Sequence, residues 1–195
     1  MSTGFLAWRP GTAKDRICKL KSLSGAEDSF EIDEGISRLN GWPEDVHAKM
    51  DPRFPKDTGL ADSLPGASFI VVSQKTRQFL EDEKVPRIEF LPMKILDLKG
   101  GVASADYFVV NPLTIVDCID PDASGVEMDS LDKGAFCGCE QLILREVAIP
   151  ADVPVFRFEH WRQVIGIRRE LADRMKAAGL TGLRFIEPLK YTGLV

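Results

Sequence analysis

Between Thr114 and Glu140 the chain sets seven carboxylates (Asp117, Asp120, Asp122, Glu127, Asp129, Asp132 and Glu140) against one basic residue, Lys133. A span of that sign can draw in a cationic surface, speeding encounter and fixing register more than it adds affinity. The same residues also make an ordinary solvated loop that keeps a protein soluble. A second group, Glu159-His160-Trp161-Arg162, joins an imidazole to two residue types enriched at binding hot spots. His160 could be a general base in a pocket or an interface residue, and the whole group could be a plain loop between strand and helix.

Two shorter patterns bear on metals. Asp120-Pro121-Asp122-Ala123-Ser124-Gly125 follows the first six positions of an EF-hand loop, but the twelfth, where a bidentate Glu belongs, is Leu131. An Asx-type turn that ends a strand accounts for the same residues. Cys137-Gly138-Cys139 offers two thiols one residue apart, and Cys118 with His47 or His160 could complete a tetrahedral set. Structural zinc sites pair their thiolates with two to four residues between them, so this tighter spacing reads as incidental thiols. No metal and no cofactor is expected. The chain has no Gly-x-Ser-x-Gly elbow, Walker loop, His-Glu-x-x-His or dinucleotide glycine fingerprint. Their absence does not by itself exclude an enzyme.

The elements that must position these groups are mostly β. Tyr107 to Val110 and Leu113 to Ile119 are β-branched and aromatic runs interrupted by Asn111-Pro112, a dipeptide that favours a bend or an edge. Further strands are expected at Glu140 to Ile149, closed by Pro150, and at Val153 to Phe158. There the alternation sets Phe156 and Phe158 on one face and Arg157 on the other.

Phe69 to Pro92 and Val164 to Glu187 repeat one strand, helix, strand pattern at an offset of 95 (185 − 90, from Phe90 and Phe185). Val72 then meets Ile167, Leu80 meets Met175, Val85 meets Leu180 and Ile88 meets Leu183. Ser73 is a good N-cap for the first helix. In the second, Leu171, Met175 and Ala178 share a face, and Gly179 then Leu180 form a left-handed stop. Duplication and independent recurrence of a common building block account for this equally well. Residues 24 to 66, rich in Gly, Pro, Asp and Glu, read as loop and short helix near Ile32 to Leu39 and Pro43 to Lys49. The expected fold is α+β, a mixed, mainly antiparallel sheet with short helices. Residues 1–66 are expected to be an N-terminal region of loop and short helix packed on a core of 67–195 as one compact unit, with a partly mobile arm as the alternative.

With 195 residues and 44% hydrophobic content the chain can bury a core without a metal or disulfide staple. A net charge of −5 argues against sequence-independent nucleic-acid binding, which needs a basic surface, and suits a basic protein partner. The N-terminus lacks a basic region followed by an apolar run, and no stretch suits a bilayer span, so a cytoplasmic protein with its four cysteines reduced is expected.

The stretch Tyr107 to Asp120, Tyr-Phe-Val-Val-Asn-Pro-Leu-Thr-Ile-Val-Asp-Cys-Ile-Asp, resembles the central motif of the bacterial immunity-protein family of the myxobacterial type (Imm11, also DUF1629). Gly59-Leu60-Ala61-Asp62 and Phe69-Ile70-Val71-Val72-Ser73 look like that family's Asp-containing loop and Val-Ser helix start. Val155-Phe156-Arg157 and Gly179 to Phe185 follow in order, so the resemblance runs from about residue 56 to 188. It departs in two places: the first 50 residues carry no motif, and Ile167-Arg168-Arg169 stands where the family's second helix opens on Ser. The resemblance implies a protein that neutralises a cognate toxin by stoichiometric occlusion, with no catalytic residues. Partner contacts are then expected at Asp117, Asp120, Asp122, Glu127, Asp129, Asp132, Glu159, His160, Trp161 and Arg162. A small cytosolic enzyme reversing toxin damage and a non-inhibitory adaptor are the alternative classes.

Overall fold

Dense β-branched and aromatic runs build three sheets in the computed structural model, which describes residues 3–12, 14, 16–26 and 30–193. In chain order the strands are β1 (Phe5–Arg9), β2 (Leu20–Ser24), β3 (His47–Met50), β4 (Ser63–Leu64), β5 (Val71–Ser73), β6 (Ile88–Leu96) and β7 (Val102–Pro112). They continue as β8 (Ile115–Val116), β9 (Val126–Met128), β10 (Phe136–Cys139), β11 (Val155–Phe158), β12 (Trp161–Arg168) and β13 (Arg184–Ile186). The helices are α1 (Phe30–Asp33), α2 (Gln74–Asp82), α3 (Pro121–Ser124) and α4 (Arg169–Ala177). One sheet has the order β2-β3-β6-β7-β5-β4, another β13-β1-β12-β11-β8, and β9 and β10 form a separate ribbon. The expected α+β class with mainly antiparallel pairing is what the chain adopts; β3 with β6 and β8 with β11 are the parallel pairs.

The two repeated units carry the same strand, helix, strand order at the offset of 95, although their flanking strands differ in length. Helix α2 shifted by 95 residues is α4, nine residues in each. Both helices end in a Schellman motif: Val85 N donates to Leu80 O (3.1 Å) and Lys84 N to Glu81 O (2.9 Å), matched by Leu180 N to Met175 O (3.3 Å) and Gly179 N to Lys176 O (3.0 Å). In each unit the flanking strands run parallel with an antiparallel strand between them, β7 in the first and β1 in the second. The N-caps differ. The Ser73 side chain accepts from Thr76 N, whereas Arg168 caps α4 with no side-chain bond. Ala178, expected on the buried face, is exposed because the helix has already ended there.

The shared motif predicts a stabilising change. Gly179 (φ +70) takes the left-handed cap freely, while its counterpart Lys84 holds φ +53, a conformation costing a side-chain-bearing residue about 1–2 kcal/mol. Lys84→Gly should stabilise the fold by about 0.5–1 kcal/mol net of chain entropy, raising Tm by about 2 °C. An unchanged or lower Tm in a thermal melt would reject this.

Between the sheets, Ile70, Val72, Leu80 and Phe90 of the first unit pack with Ile165, Ile167, Met175 and Phe185 of the second. A joint at Asp62 locks the units together. Its carboxylate accepts from Ser73 Oγ (2.8 Å), Thr181 N (2.8 Å) and Thr181 Oγ1 (2.9 Å), and its carbonyl accepts from Ser73 N (3.0 Å) and Thr76 Oγ1 (3.1 Å). Ser73 caps the helix of the first unit and Thr181 follows the helix of the second, so one side chain spans both. The chain passes so close here that a Cβ on Gly182, at φ +73, would lie 2.2 Å from Ser63 O.

Three expectations are corrected. Residues 1–66 supply β1 to β4 rather than loop and short helix alone, and β1 lies between β12 and β13. Glu140 to Ile149 forms no strand: its amides bond to Ser124, Pro188 and Cys118 in turn, so no single ladder forms, and Glu146–Ala148 is a 3-10 turn. Asn111-Pro112 does not interrupt the central strand. Strand β7 runs through Pro112, paired with Ile88, and the break follows it.

Candidate functional site

The β11–β12 hairpin turns at Glu159-His160, just past the Phe158↔Trp161 pair. The β9–β10 ribbon docks against this turn, with Phe136 N donating to His160 O (2.7 Å) and His160 Nδ1 lying 2.9 Å from Gly134 O. The ribbon's loop is held by its own carboxylates: Asp129 accepts from Leu131 N (2.7 Å) and Asp132 N (3.1 Å), and Asp132 accepts from Gly134 N (2.9 Å). A third wall comes from the end of α1, where Asp33 and Glu34 face Arg162, which is ion-paired to Glu34. Together these enclose a cleft of about 520 Å³.

Asp132, Glu159, His160, Trp161 and Arg162 all line this cleft, so one carboxylate of the acidic span shares a surface with the second group. Asp117 adjoins it, since its carboxylate, that of Glu159 and the His160 ring lie within 4.8 Å of one another. These three could offer a cation two carboxylates and an imidazole, although Asp117 already holds Arg145 at 2.7 Å. Trp161 is only 3% exposed, its ring 5.3 Å from that of Tyr191, so it forms the floor rather than a protruding anchor. Asp120, Asp122, Glu127 and Asp129 do not line the cleft. Asp120 caps α3 by accepting from Ala123 N (3.0 Å), and Gly125 closes the turn in the left-handed conformation, the Asx-type role read from sequence.

Asp33 and Glu34 were missed as site residues. The acidic cluster Glu31, Asp33, Glu34 is visible in the chain, but nothing local says that it crosses to the β11–β12 turn. What carries it there is a buried polar network. Arg157, 1% exposed, donates from Nε to Pro112 O (3.1 Å), from Nη1 to Arg162 O (2.6 Å) and from Nη2 to Asn111 Oδ1 (3.3 Å). Asn111 Nδ2 donates to Ile36 O (2.9 Å) and Glu89 Oε2 (3.0 Å), and Glu89 also accepts from Arg38 N (2.9 Å) and the Ser37 hydroxyl. The segment following Glu34 is thereby pinned onto β6 and β7.

Charge at the cleft follows from this burial. Burial pushes the Asp33 carboxyl up, with Arg157 opposing at 3.8 Å and Glu34 adding to the rise. Burial pulls the Arg157 guanidinium down to about 10, against the opposing pull of Asp33 and Glu34, which leaves it charged at neutral pH. The cysteines do not converge. Cys137, at the register shift between Phe136 and Gly138, is exposed and Cys139 is buried, while burial raises Cys18 to about 11 and Cys118 to about 12. Neither of those two is a thiolate at neutral pH, so neither is primed as a nucleophile or ligand.

Carboxylates from α1, the β9–β10 loop and the β11–β12 turn thus rim one cleft. The chain matches the Immunity protein family (Imm11) over residues 12–189 and belongs to that family. No curated protein matches it. Among the described residues no helix is long and apolar enough to cross a membrane.

Proposed function

We propose that this chain is a cytoplasmic, non-enzymatic immunity protein that neutralises a cognate toxin stoichiometrically by covering its active surface, with the acidic cleft as the contact. Family membership carries the immunity reading. The choice of surface rests on the convergence of Asp132, Glu159 and His160 with Asp33 and Glu34. Their charge suits a toxin whose active surface is basic, and such steering acts mainly on the association rate.

The first test is co-expression with the product of the adjacent gene, scoring one-to-one co-purification and host survival. A harmless or non-binding neighbour counts against the reading. Within a complex, reversing two cleft charges (Asp132→Lys with Glu159→Lys) should slow association at low salt by about 10-fold or more and flatten its salt dependence. Unchanged kinetics by surface plasmon resonance would remove this cleft from the interface.

A further inference from the structure

A second cavity, about 660 Å³, lies next to the acidic cleft, with Gln163 lining both. Its charge is the opposite. Arg9, Lys14, Lys19 and Arg184 line it, no carboxylate among the described residues does, and Thr12 and Ser68 add hydroxyls. In a chain of net charge −5 this is a local reversal of sign.

The arrangement is unfavourable as it stands. Arg9 and Arg184 are direct cross-strand partners on antiparallel β1 and β13, where like charges destabilise. Among the described residues, none of the four cations forms an ion pair with a carboxylate. Two are oriented by aromatic rings instead: Arg9 lies 5.6 Å from the Tyr191 centroid and Lys19 Nζ 3.5 Å from that of Phe54. The wall at Gly11 is packed tightly from behind, since a Cβ there would lie 2.4 Å from Ser63 O, which does not line the cavity.

We infer that this cavity is a binding site for a phosphate-bearing anion no larger than a mononucleotide. Its volume falls in the ~300–1,000 Å³ range of small-molecule sites. Guanidinium forks and ammonium groups are the usual partners of phosphate oxygens, and a diphosphate answers several cations lining one cavity where a single carboxylate would not. An extended nucleic acid is disfavoured by the chain's net charge of −5, since it needs a basic surface along its length. The inference is independent of the toxin-binding reading.

The test is isothermal titration of the purified protein with inorganic pyrophosphate and with ADP, and with a hexaglutamate peptide as the carboxylate arm. Saturable one-to-one binding of pyrophosphate or ADP is expected, weakened at least 10-fold by Arg184→Ala and unchanged by Asp132→Ala. Tighter binding of ADP than of pyrophosphate would assign the site to nucleotides; the reverse would assign it to bare phosphates. Arg184→Ala should not lower Tm in the absence of anion, since it relieves the Arg9 pairing, so lost binding would not reflect misfolding. No binding at 5 mM of either phosphate compound, equal binding by Arg184→Ala, or tighter binding of hexaglutamate would overturn the inference.

Discussion

Arg157→Ala should destabilise the protein by about 3–5 kcal/mol, the range for removing one member of a buried charged network. The side chain is 1% exposed and makes three hydrogen bonds, to Pro112 O, Arg162 O and Asn111 Oδ1. Truncation leaves two carbonyls and an amide oxygen without donors and opens a cavity the backbone cannot close. For a chain of this length the Tm should fall by about 10 °C. Arg157→Lys keeps the charge but loses the fork, so it should recover only part of the loss. A urea-denaturation loss below about 1 kcal/mol for Arg157→Ala would refute the network's structural role. The same variant bears on function. Arg157 and Asn111 hold the segment that presents Asp33 and Glu34, so partner association should slow even at temperatures where the variant stays folded.

Arg157 also marks where sequence reading stops. The alternation Val155 to Phe158 correctly set it opposite Phe156 and Phe158. Nothing in that alternation says that the opposite face is covered by residues from positions 33, 111 and 162. Local signals fared better. Helices α2 and α4, their left-handed stops and the Ser73 cap depend on contacts a few residues apart, and the offset of 95 holds through both helices and caps. Strand β1 was missed for a physical reason. Leu6 and Trp8 pack into the core between the sheets while Phe5 and Ala7 pack on the other side, so the strand is apolar on both faces and shows no alternation. At the cleft, Asp132 and Glu159 to Arg162 were legible as residue types. Their meeting depends on the β9–β10 ribbon docking on a hairpin turn, which no local pattern encodes.

Asp62→Asn should cost about 2–3 kcal/mol at neutral pH, because the carboxylate bonds both units at once. Three donors converge on it: Ser73 Oγ, Thr181 N and Thr181 Oγ1. An amide keeps one acceptor oxygen and turns an NH2 toward groups that also donate. The pH dependence separates this from simple loss of shape. Burial alone would raise the Asp62 pKa, but the hydrogen bonds from Thr181 and Ser73, with Lys75 nearby, outweigh it and the net shift is downward. A carboxylate depressed in the folded state stabilises it fully above the unfolded value of about 3.9 and loses that contribution as pH falls through the folded value. The amide that replaces it in the variant does not titrate. The stability gap between wild type and variant should therefore stay constant from about pH 5 to 8 and close as pH drops below about 4. A gap under about 0.5 kcal/mol at pH 7, or one unchanged down to about pH 2.5, would mean that Asp62 is not the joint described. Asp62 lines neither the acidic cleft nor the basic cavity. The folded fraction of Asp62→Asn should accordingly bind toxin and phosphate anions as wild type does, so that stability and recognition separate in one variant.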